Sequence, residues 1–134
     1  MLTYNDRMSK KVLVVDDDVD ILEGIALILE IEGYTVSTIA KGEKTYKRVE
    51  EFQPDLVLLD IRMFGTDGRA ICKRLKSQKK TKHIPVILVS ADPSTKNAKS
   101  LSSANDFLAK PFDTVDLITL VRKFTAESTR DART

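Results

Sequence analysis

The sequence predicts an α/β domain in which an open parallel sheet carries helices on both faces. Its 134 residues suit one domain, and a hydrophobic content of 42% is ordinary for a chain with a real core. Short apolar runs alternate with segments in which apolar residues recur at helical spacing, the pattern of repeated βα units. A chain with five such units is too short to close an eight-stranded barrel, so we expect the sheet to stay open.

Five strands follow from the apolar runs. Residues 12–15, 56–59 and 86–89 are apolar at every position, as strands buried on both faces of a parallel sheet require. Two shorter strands are expected at residues 34–38 and 106–109. In an open parallel sheet, ligands bind beyond the carboxyl ends of the strands, so those ends are where we look for chemistry.

The segments between the strands predict helices. The first contains Ile21 and should end near Gly33, and the second covers residues 44–52 and is stopped by Pro54. A third follows Gly68, and Asp113 caps the last. The apolar positions of that last helix are Val115, Leu117, Ile118, Val121 and Phe124.

The remaining segments carry weaker patterns. Between Asp92 and Ser103 only Ala98 and Leu101 are apolar, so we expect that segment to be a short, poorly packed or mobile helix. We assign the domain to residues 10–126 and expect the polar ends, residues 1–9 and 127–134, to be flexible.

Composition excludes several classes of function. Cys72 and His83 are the only residues of their types, which leaves no ligand set for zinc and disfavours a Ser-His-Asp enzyme. No apolar run approaches a membrane span and no secretory signal is apparent, so we expect a cytoplasmic protein without membrane contact. A net charge of +2 is too small to indicate nucleic acid. Residues 69–82 are strongly basic, and we interpret them as a solvated helix face rather than a docking patch for an acidic partner.

Acidic residues cluster where two of the apolar strands end. Asp16, Asp17 and Asp18 follow the first strand, and Asp60 follows the strand at residues 56–59. If these strands are neighbours, each pair of carboxylates repels by about 4 kcal/mol at an effective dielectric near 20. A hard divalent cation with oxygen ligands, such as Mg²⁺, would relieve this repulsion. The alternative is that the acids are helix caps and loop residues.

Two other strand ends add complementary groups. Ser90 closes one strand with a hydroxyl, and Lys110 follows another with an ammonium group. Acids for a metal, a free carboxylate, a hydroxyl and a cation together make a pocket for a phosphoryl group. Asp60 would be the nucleophile in that pocket.

Four motifs, in order and at fitting separations, resemble the receiver domain of two-component response regulators, with a chemotaxis-regulator-like pattern. They are VLVVDD at residues 12–17, LVLLDIRM-x-G-x-DG at 56–68, PVILVSA at 85–91 and FLAKPF at 107–112. The resemblance spans roughly residues 10–125. It implies a flavodoxin-like sheet with strand order 2-1-3-4-5.

The resemblance also implies a function. Asp60 would accept a phosphoryl group from a histidine kinase or a histidine phosphotransfer protein. The chain would then signal to a downstream protein target by conformational change, without acting as an enzyme or contacting nucleic acid. Homodimerisation on phosphorylation is a further implied option.

Residue roles carry over onto matching positions. The resemblance implies that Asp16, Asp17 and Asp60, with the backbone carbonyl of Arg62, hold Mg²⁺. Lys110 would pair with the phosphoryl anion. Ser90 and Phe107 would be the switch residues, and the segment after Ser90 would report the phosphorylated state.

Three departures and two local expectations refine this hypothesis. Phe64 stands where the family usually has proline, which predicts a less rigid loop, and Phe107 replaces the more usual tyrosine. The stretch from Ser90 to Lys110 is about two residues shorter than in most relatives. We expect a cis Lys110–Pro111 peptide bond, as the resemblance implies, and an ion pair between Arg62 and Asp92.

Two other classes of function compete with this one. A haloacid-dehalogenase-like phosphatase would use Asp16 and Asp18 in a D-x-D-x-V motif, but Asp20 interrupts the apolar continuation that this motif needs. A receiver-like module that binds a partner without taking phosphate is the other. The complete set of Asp16, Asp17, Asp60, Ser90 and Lys110 argues against it.

Overall fold

The computed structural model of the protein describes residues 9–92 and 103–126. The main sheet contains β1 (Lys11–Val15), β2 (Thr35–Ile39), β3 (Leu56–Asp60), β4 (Val86–Ser90) and β5 (Asp106–Ala109). All neighbouring strands are parallel, in the order β2-β1-β3-β4-β5, which confirms the predicted order. The chain order reverses between β1 and β3, which is where an open α/β sheet leaves a crevice.

Four α-helices lie in the described part of the chain. They are α1 (Val19–Ile31), α2 (Thr45–Phe52), α3 (Gly68–Ser77) and α4 (Thr114–Thr125). The weak helix expected between Asp92 and Ser103 falls almost entirely on residues 93–102, which lie outside the described residues. So do the expected flexible ends, apart from Ser9, whose hydroxyl donates a hydrogen bond to the carbonyl of Gly33.

The helix ends follow the predicted capping residues. Asp18 caps α1 by accepting hydrogen bonds from the N–H groups of Asp20 and Ile21. At the other end, Gly33 has a φ of 100°, and its N–H bonds the carbonyl of Glu30. This glycine stop is the one expected from the sequence.

The strands divide the core into two apolar layers because their side chains alternate between the faces of the sheet. Leu13 and Val15 of β1 pack with α2 and α3, whereas Val12 and Val14 pack with α1 and α4. The three central strands are therefore buried on both faces, as their uninterrupted apolar sequences predict.

Val115 departs from the expected pattern of α4. Its side chain is 69% exposed, whereas Leu117 and Val121 are fully buried. Two residues along a helix correspond to a rotation of about 200°, which turns Val115 away from the buried stripe. Thr125 is buried instead, and its hydroxyl bonds the carbonyl of Val121 and the hydroxyl of Tyr34.

A short antiparallel hairpin, Arg62–Met63 with Thr66–Asp67, links β3 to α3. It brings the start of α3 back against the end of β3, where the N–H of Gly68 donates to the carbonyl of Ile61 at 2.8 Å. A Cβ atom at Gly68 would lie 2.1 Å from the carbonyl oxygen of Asp60, a separation that backbone atoms do not tolerate. Only glycine fits this close approach.

None of the helices in residues 9–92 and 103–126 is long and apolar enough to cross a membrane.

Two glycine substitutions should have opposite effects on stability. Gly68→Ala should lower the free energy of unfolding by about 2–3 kcal/mol, because α3 or the end of β3 must shift. Gly24→Ala should raise it by about 0.5–1 kcal/mol, since Gly24 lies inside α1 with open space around it. Urea unfolding measures both. A Gly68→Ala variant as stable as the wild-type protein would contradict the close approach.

Candidate phosphoryl-transfer site

The carboxylates predicted to converge do so at the carboxyl edge of the sheet. In the register of the central strands, Val15 of β1 pairs with Leu59 of β3, so Asp16 and Asp60 extend from neighbouring strand ends. Asp16 is 3% exposed and Asp60 is 6% exposed, while Asp17 lies on the surface beside them. One carboxylate oxygen from each of the three residues lies within 4.8 Å of the others.

Lys110 is the cation inside this cluster. Its Nζ lies 2.9 Å from Oδ2 of Asp16 and 3.4 Å from Oδ1 of Asp60. Burial lowers the pKa of Lys110, but the hydrogen bond and charge of Asp16, with the charge of Asp60, raise it above its ordinary value. The sequence placed Lys110 beside Asp60. It did not indicate that Asp16 is the nearer partner.

The charged form of Asp60 is disfavoured by its surroundings. Burial and the negative charge of Asp16 raise its pKa to about 6, although Lys110 acts in the opposite direction. At neutral pH the carboxylate still predominates, by about tenfold at pH 7. Asp60 is therefore ionised and available to act, but its charge is held at a cost in stability.

The hairpin after β3 is bound to the cluster through Asp17. The backbone N–H of Phe64 donates to Oδ2 of Asp17 at 2.8 Å, and the Phe64 side chain is 95% exposed. Proline, the family's usual residue here, could not donate this bond. Phenylalanine in place of proline predicts a less rigid loop, and the contacts that restrain the loop in this protein are this hydrogen bond and the hairpin pairing. A β-strand of two residues has too little pattern to be found in a sequence.

The other predicted residues lie at this edge or, for Phe107, two residues before it along the paired strands. Ser90 is 3% exposed at the end of β4, and its Oγ accepts the N–H of Asp92 at 3.1 Å. Phe107 on β5 is partly buried against the apolar layer of α2 and α3. The expected ion pair between Arg62 and Asp92 is present, with 2.5 Å between Nη2 and Oδ2. The Lys110–Pro111 peptide bond is cis, as expected.

Asp18 does not join the carboxylate cluster. Its side chain is committed to the N-terminus of α1, which is the alternative interpretation offered for this residue. A haloacid-dehalogenase-like mechanism would need Asp18 as a second catalytic acid next to Asp16. The cap therefore argues against the phosphatase hypothesis.

The three carboxylates fit a magnesium ion. Mg²⁺ prefers oxygen ligands at about 2.0–2.1 Å, so opposite ligands are about 4.2 Å apart. Ligand oxygens already within 4.8 Å of one another need only small movements to reach that spacing. The Arg62 carbonyl, two residues after Asp60, stays a predicted further ligand.

Comparison with known proteins gives concordant results. The family model described as the response regulator receiver domain matches residues 12–122. Over 120 residues the chain is 40% identical to the response regulator PleD of Caulobacter vibrioides, a match that covers 88% of this chain and 26% of PleD. The chain thus spans about a quarter of the length of this relative.

Solved structures share the fold. The signal receiver domain of a histidine kinase from Syntrophus aciditrophicus is 31% identical, with a TM-score of 0.83 and coverage of 91% of this chain and 94% of that one. The receiver domain of a Pseudomonas aeruginosa sensor histidine kinase is 24% identical, with a TM-score of 0.81 and coverage of 89% and 99%. Its structure has a magnesium ion coordinated in the active-site cleft. With a matched family model over most of its length and the fold of that family, this chain belongs to the response regulator receiver domain family.

Proposed function

We propose that this chain is a phosphorylation-activated receiver, in which Asp60 accepts a phosphoryl group from the phosphohistidine of a histidine kinase or a phosphotransfer protein. The observation that carries the proposal is the meeting of a buried Asp60 carboxylate with Asp16, Asp17 and Lys110 at one sheet edge. This set combines a nucleophile, oxygen ligands for a metal and a cation for the incoming anion.

The transfer is written as a displacement at phosphorus. A carboxylate oxygen of Asp60 forms a bond to phosphorus while the bond from phosphorus to the donor imidazole nitrogen breaks. The electron pair of that bond stays with the imidazole, which takes up a proton. Asp60 becomes an acyl phosphate, and the Lys110 ammonium group lies close enough to pair with the new dianion.

Asp16, Asp17 and Asp60, with the Arg62 carbonyl, would hold Mg²⁺. When bound, the ion supplies positive charge that offsets both the carboxylate repulsion and the charge of the phosphoryl oxygens. The magnesium ion in the cleft of the Pseudomonas receiver supports this assignment. The Phe64 N–H keeps the Asp17 carboxylate oriented in the meantime.

Ser90 and Phe107 would carry the conformational change that follows phosphorylation. The Ser90 oxygen accepts the Asp92 N–H, so its own O–H is the group that would donate to a phosphoryl oxygen when the side chain moves towards Asp60. Its movement frees space on β4 beside Phe107, because Phe107 pairs with Leu88 two residues earlier on that strand. The following segment would then report the change to a downstream protein target.

The rest of the assignment follows from this role. We propose that the receiver acts in the cytoplasm as residues 10–126 of the chain, as a phosphoacceptor rather than an enzyme. Its partners would be the phosphodonor and a downstream protein, with homodimerisation on phosphorylation as one form of output. A receiver-like module that binds without taking phosphate would have no need for the ionised, buried Asp60.

Phosphorylation is tested with a small donor. Incubation with acetyl phosphate and Mg²⁺ should add one phosphoryl mass to the intact protein, at Asp60, because a small donor needs no protein docking surface. Asp60→Asn should abolish the adduct, whereas Asp18→Asn should keep it, since asparagine also caps a helix well. An unmodified wild-type protein, or an adduct that persists in Asp60→Asn, would contradict the proposed role.

Magnesium should stabilise the folded protein. At ten times its dissociation constant it should add about 1.4 kcal/mol to the free energy of unfolding, seen as a higher Tm. Asp17→Asn should remove most of that gain, while Asp18→Asn should retain it because Asp18 lies outside the cluster. Sodium chloride at equal ionic strength is the control. Equal gains in both variants would rule out a site that depends on Asp17.

In metal-free buffer, Asp60 should make the protein less stable as pH rises. Its pKa is about 6 in the folded state and 3.8 unfolded, so its contribution is fully present below pH 3.8 and is lost as pH rises through 6. The free energy of unfolding of Asp60→Asn minus that of the wild-type protein should therefore increase by about 2–3 kcal/mol between pH 4 and pH 7.5. Urea unfolding in the presence of EDTA measures this difference. Asp67→Asn should show little change over this range, because hydrogen bonding to Arg69 lowers the pKa of Asp67 and its contribution to stability is lost only as pH falls below the unfolded value of 3.8. A stability difference for Asp60→Asn that does not vary with pH would contradict the raised pKa.

A further inference from the structure

A groove lies at the end of the sheet opposite Asp60. It has a volume of about 1050 Å³ and runs between α2 and the C-terminal half of α3. Its ends are closed by the chain just before β3 and by the loop at residues 78–85 that leads into β4. The groove therefore opens at the amino edge of the strands, away from the phosphoryl-transfer site.

The floor of the groove is apolar. Val49, Leu75 and Ile84 line it and are at most 5% exposed, and the partly exposed Tyr46 and Pro85 continue the apolar surface towards solvent. An apolar floor of this kind favours a ligand that carries at least one apolar side chain.

The rim on the α3 side is basic. The chain between residues 69 and 83 contains seven lysine or arginine residues and no acid, and Arg74, Lys80 and His83 from this run line the groove. In the described part of the chain, neither Arg74 nor Lys80 lies within ion-pair distance of a carboxylate. Arg69, at the start of the run, is paired with Asp67 at 2.7 Å. Among the described residues, the positive charge on this rim of the groove is therefore that of Arg74 and Lys80, which lie further along the run.

The basic rim is also held in place. The guanidinium group of Arg74 stacks on the ring of Tyr46, with its central carbon 3.8 Å from the ring centroid. Thr81 Oγ1 donates to the carbonyl of Leu75 at 2.6 Å, and Lys76 Nζ donates to the carbonyl of Ile84 at 2.7 Å. These bonds fix the loop against α3. The groove is thus formed before any ligand arrives.

The acids at the groove do not cancel this charge. Asp55 accepts the backbone N–H of Lys11 at 2.8 Å, which orients its carboxylate towards β1. Glu50 lies across the groove on α2, three residues after Lys47, which also lines the groove. A ligand is therefore attracted with its negative groups towards α3 and the loop.

We propose that this groove docks an acidic peptide segment of a partner protein, with an apolar side chain on the floor and carboxylates along the rim of Arg74 and Lys80. A groove suits a single extended or helical segment better than a flat domain surface. The charge complementarity selects an acidic sequence. This proposal departs from the sequence-based interpretation of residues 69–82 as a solvated helix face, because Arg74 and Lys80 of that run line the groove. Docking at the groove does not require phosphorylation at Asp60.

The test uses short synthetic peptides and amide chemical shifts of the full chain. A peptide of repeated Glu-Glu-Leu triplets should produce saturable shifts at the amides of Tyr46, Val49, Leu75 and Ile84 in physiological salt. A Gln-Gln-Leu peptide lacks the charge and a Glu-Glu-Ser peptide lacks the apolar anchor, so each should bind at least about tenfold more weakly, or about 1.4 kcal/mol.

Matched charge reversals locate the site. Arg74→Glu should weaken binding of the Glu-Glu-Leu peptide at least about tenfold, and Lys80→Glu should act in the same direction without touching Tyr46. Lys73→Glu makes the same charge change at the preceding residue, which does not line the groove, and should weaken binding by less than about threefold. Thermal unfolding confirms that each variant is folded.

Several outcomes would overturn the proposal. No saturable shift at millimolar peptide would do so, as would equal losses in the Arg74 and Lys73 variants, which indicate nonspecific attraction. If the Glu-Glu-Ser peptide bound as tightly as the Glu-Glu-Leu peptide, the apolar side chain would contribute nothing to binding and the proposed apolar contact would be wrong. Concentration-dependent shifts at the groove without any peptide would identify a second copy of this chain as the occupant instead. None of these readouts depends on Asp60, so the phosphoacceptor assignment can fail or stand separately.

Discussion

The mutual repulsion of three carboxylates at one sheet edge is the constraint around which this structure is organised. Parallel pairing of β1 with β3 brings Asp16 and Asp60 together, and both are nearly buried. Each is expensive to keep ionised away from water without a partner. Lys110, which follows β5, offsets part of that cost because its ammonium group contacts both carboxylates. The rest of the cost is reflected in the raised pKa of Asp60, and the excess negative charge at this edge is the basis on which we propose a divalent cation there.

The elements after β3 are packed to serve that edge. Because Gly68 has no side chain, α3 can begin against the carbonyl of Asp60 and restrict the backbone of that residue. The hairpin between them carries the Phe64 N–H to Asp17, so the exposed member of the carboxylate cluster is oriented by the same loop. Close backbone packing at Gly68 thereby positions Asp60, and the hydrogen bond from the Phe64 N–H positions Asp17. Preorganisation of this kind places the reacting groups without any change at the moment of reaction.

The sequence predicted the parts of this structure that depend on repeated local patterns. Uninterrupted apolar runs identified the three central strands, and capping residues such as Asp18 and Asp113 located helix starts. Val115 was assigned to the buried side of α4 because it is apolar. Its position in the helix, where each residue turns the side chain by about 100°, instead places it on the exposed side. The preference of Lys110 for Asp16 over Asp60 depends on side-chain positions that no local pattern encodes. The hairpin was missed because two residues cannot establish a period.

The placement of charge explains how two sites can occupy one small domain without interfering. Helix α1 carries acids and no lysine or arginine, and it lies on the opposite face of the sheet from the basic α3 and its following loop. Exposed charges separated by more than about 10 Å are largely screened at ordinary ionic strength, so the basic rim does little to neutralise the carboxylates at the other end of the strands. The carboxylate edge therefore keeps its excess negative charge and the rim of the groove keeps its positive charge, as the two proposals require. The two sites share one element. Gly68, the first residue of α3, lies against the carbonyl of Asp60, whereas Arg74 in the same helix and Lys80 in the following loop line the groove. Each site nevertheless keeps its own charge.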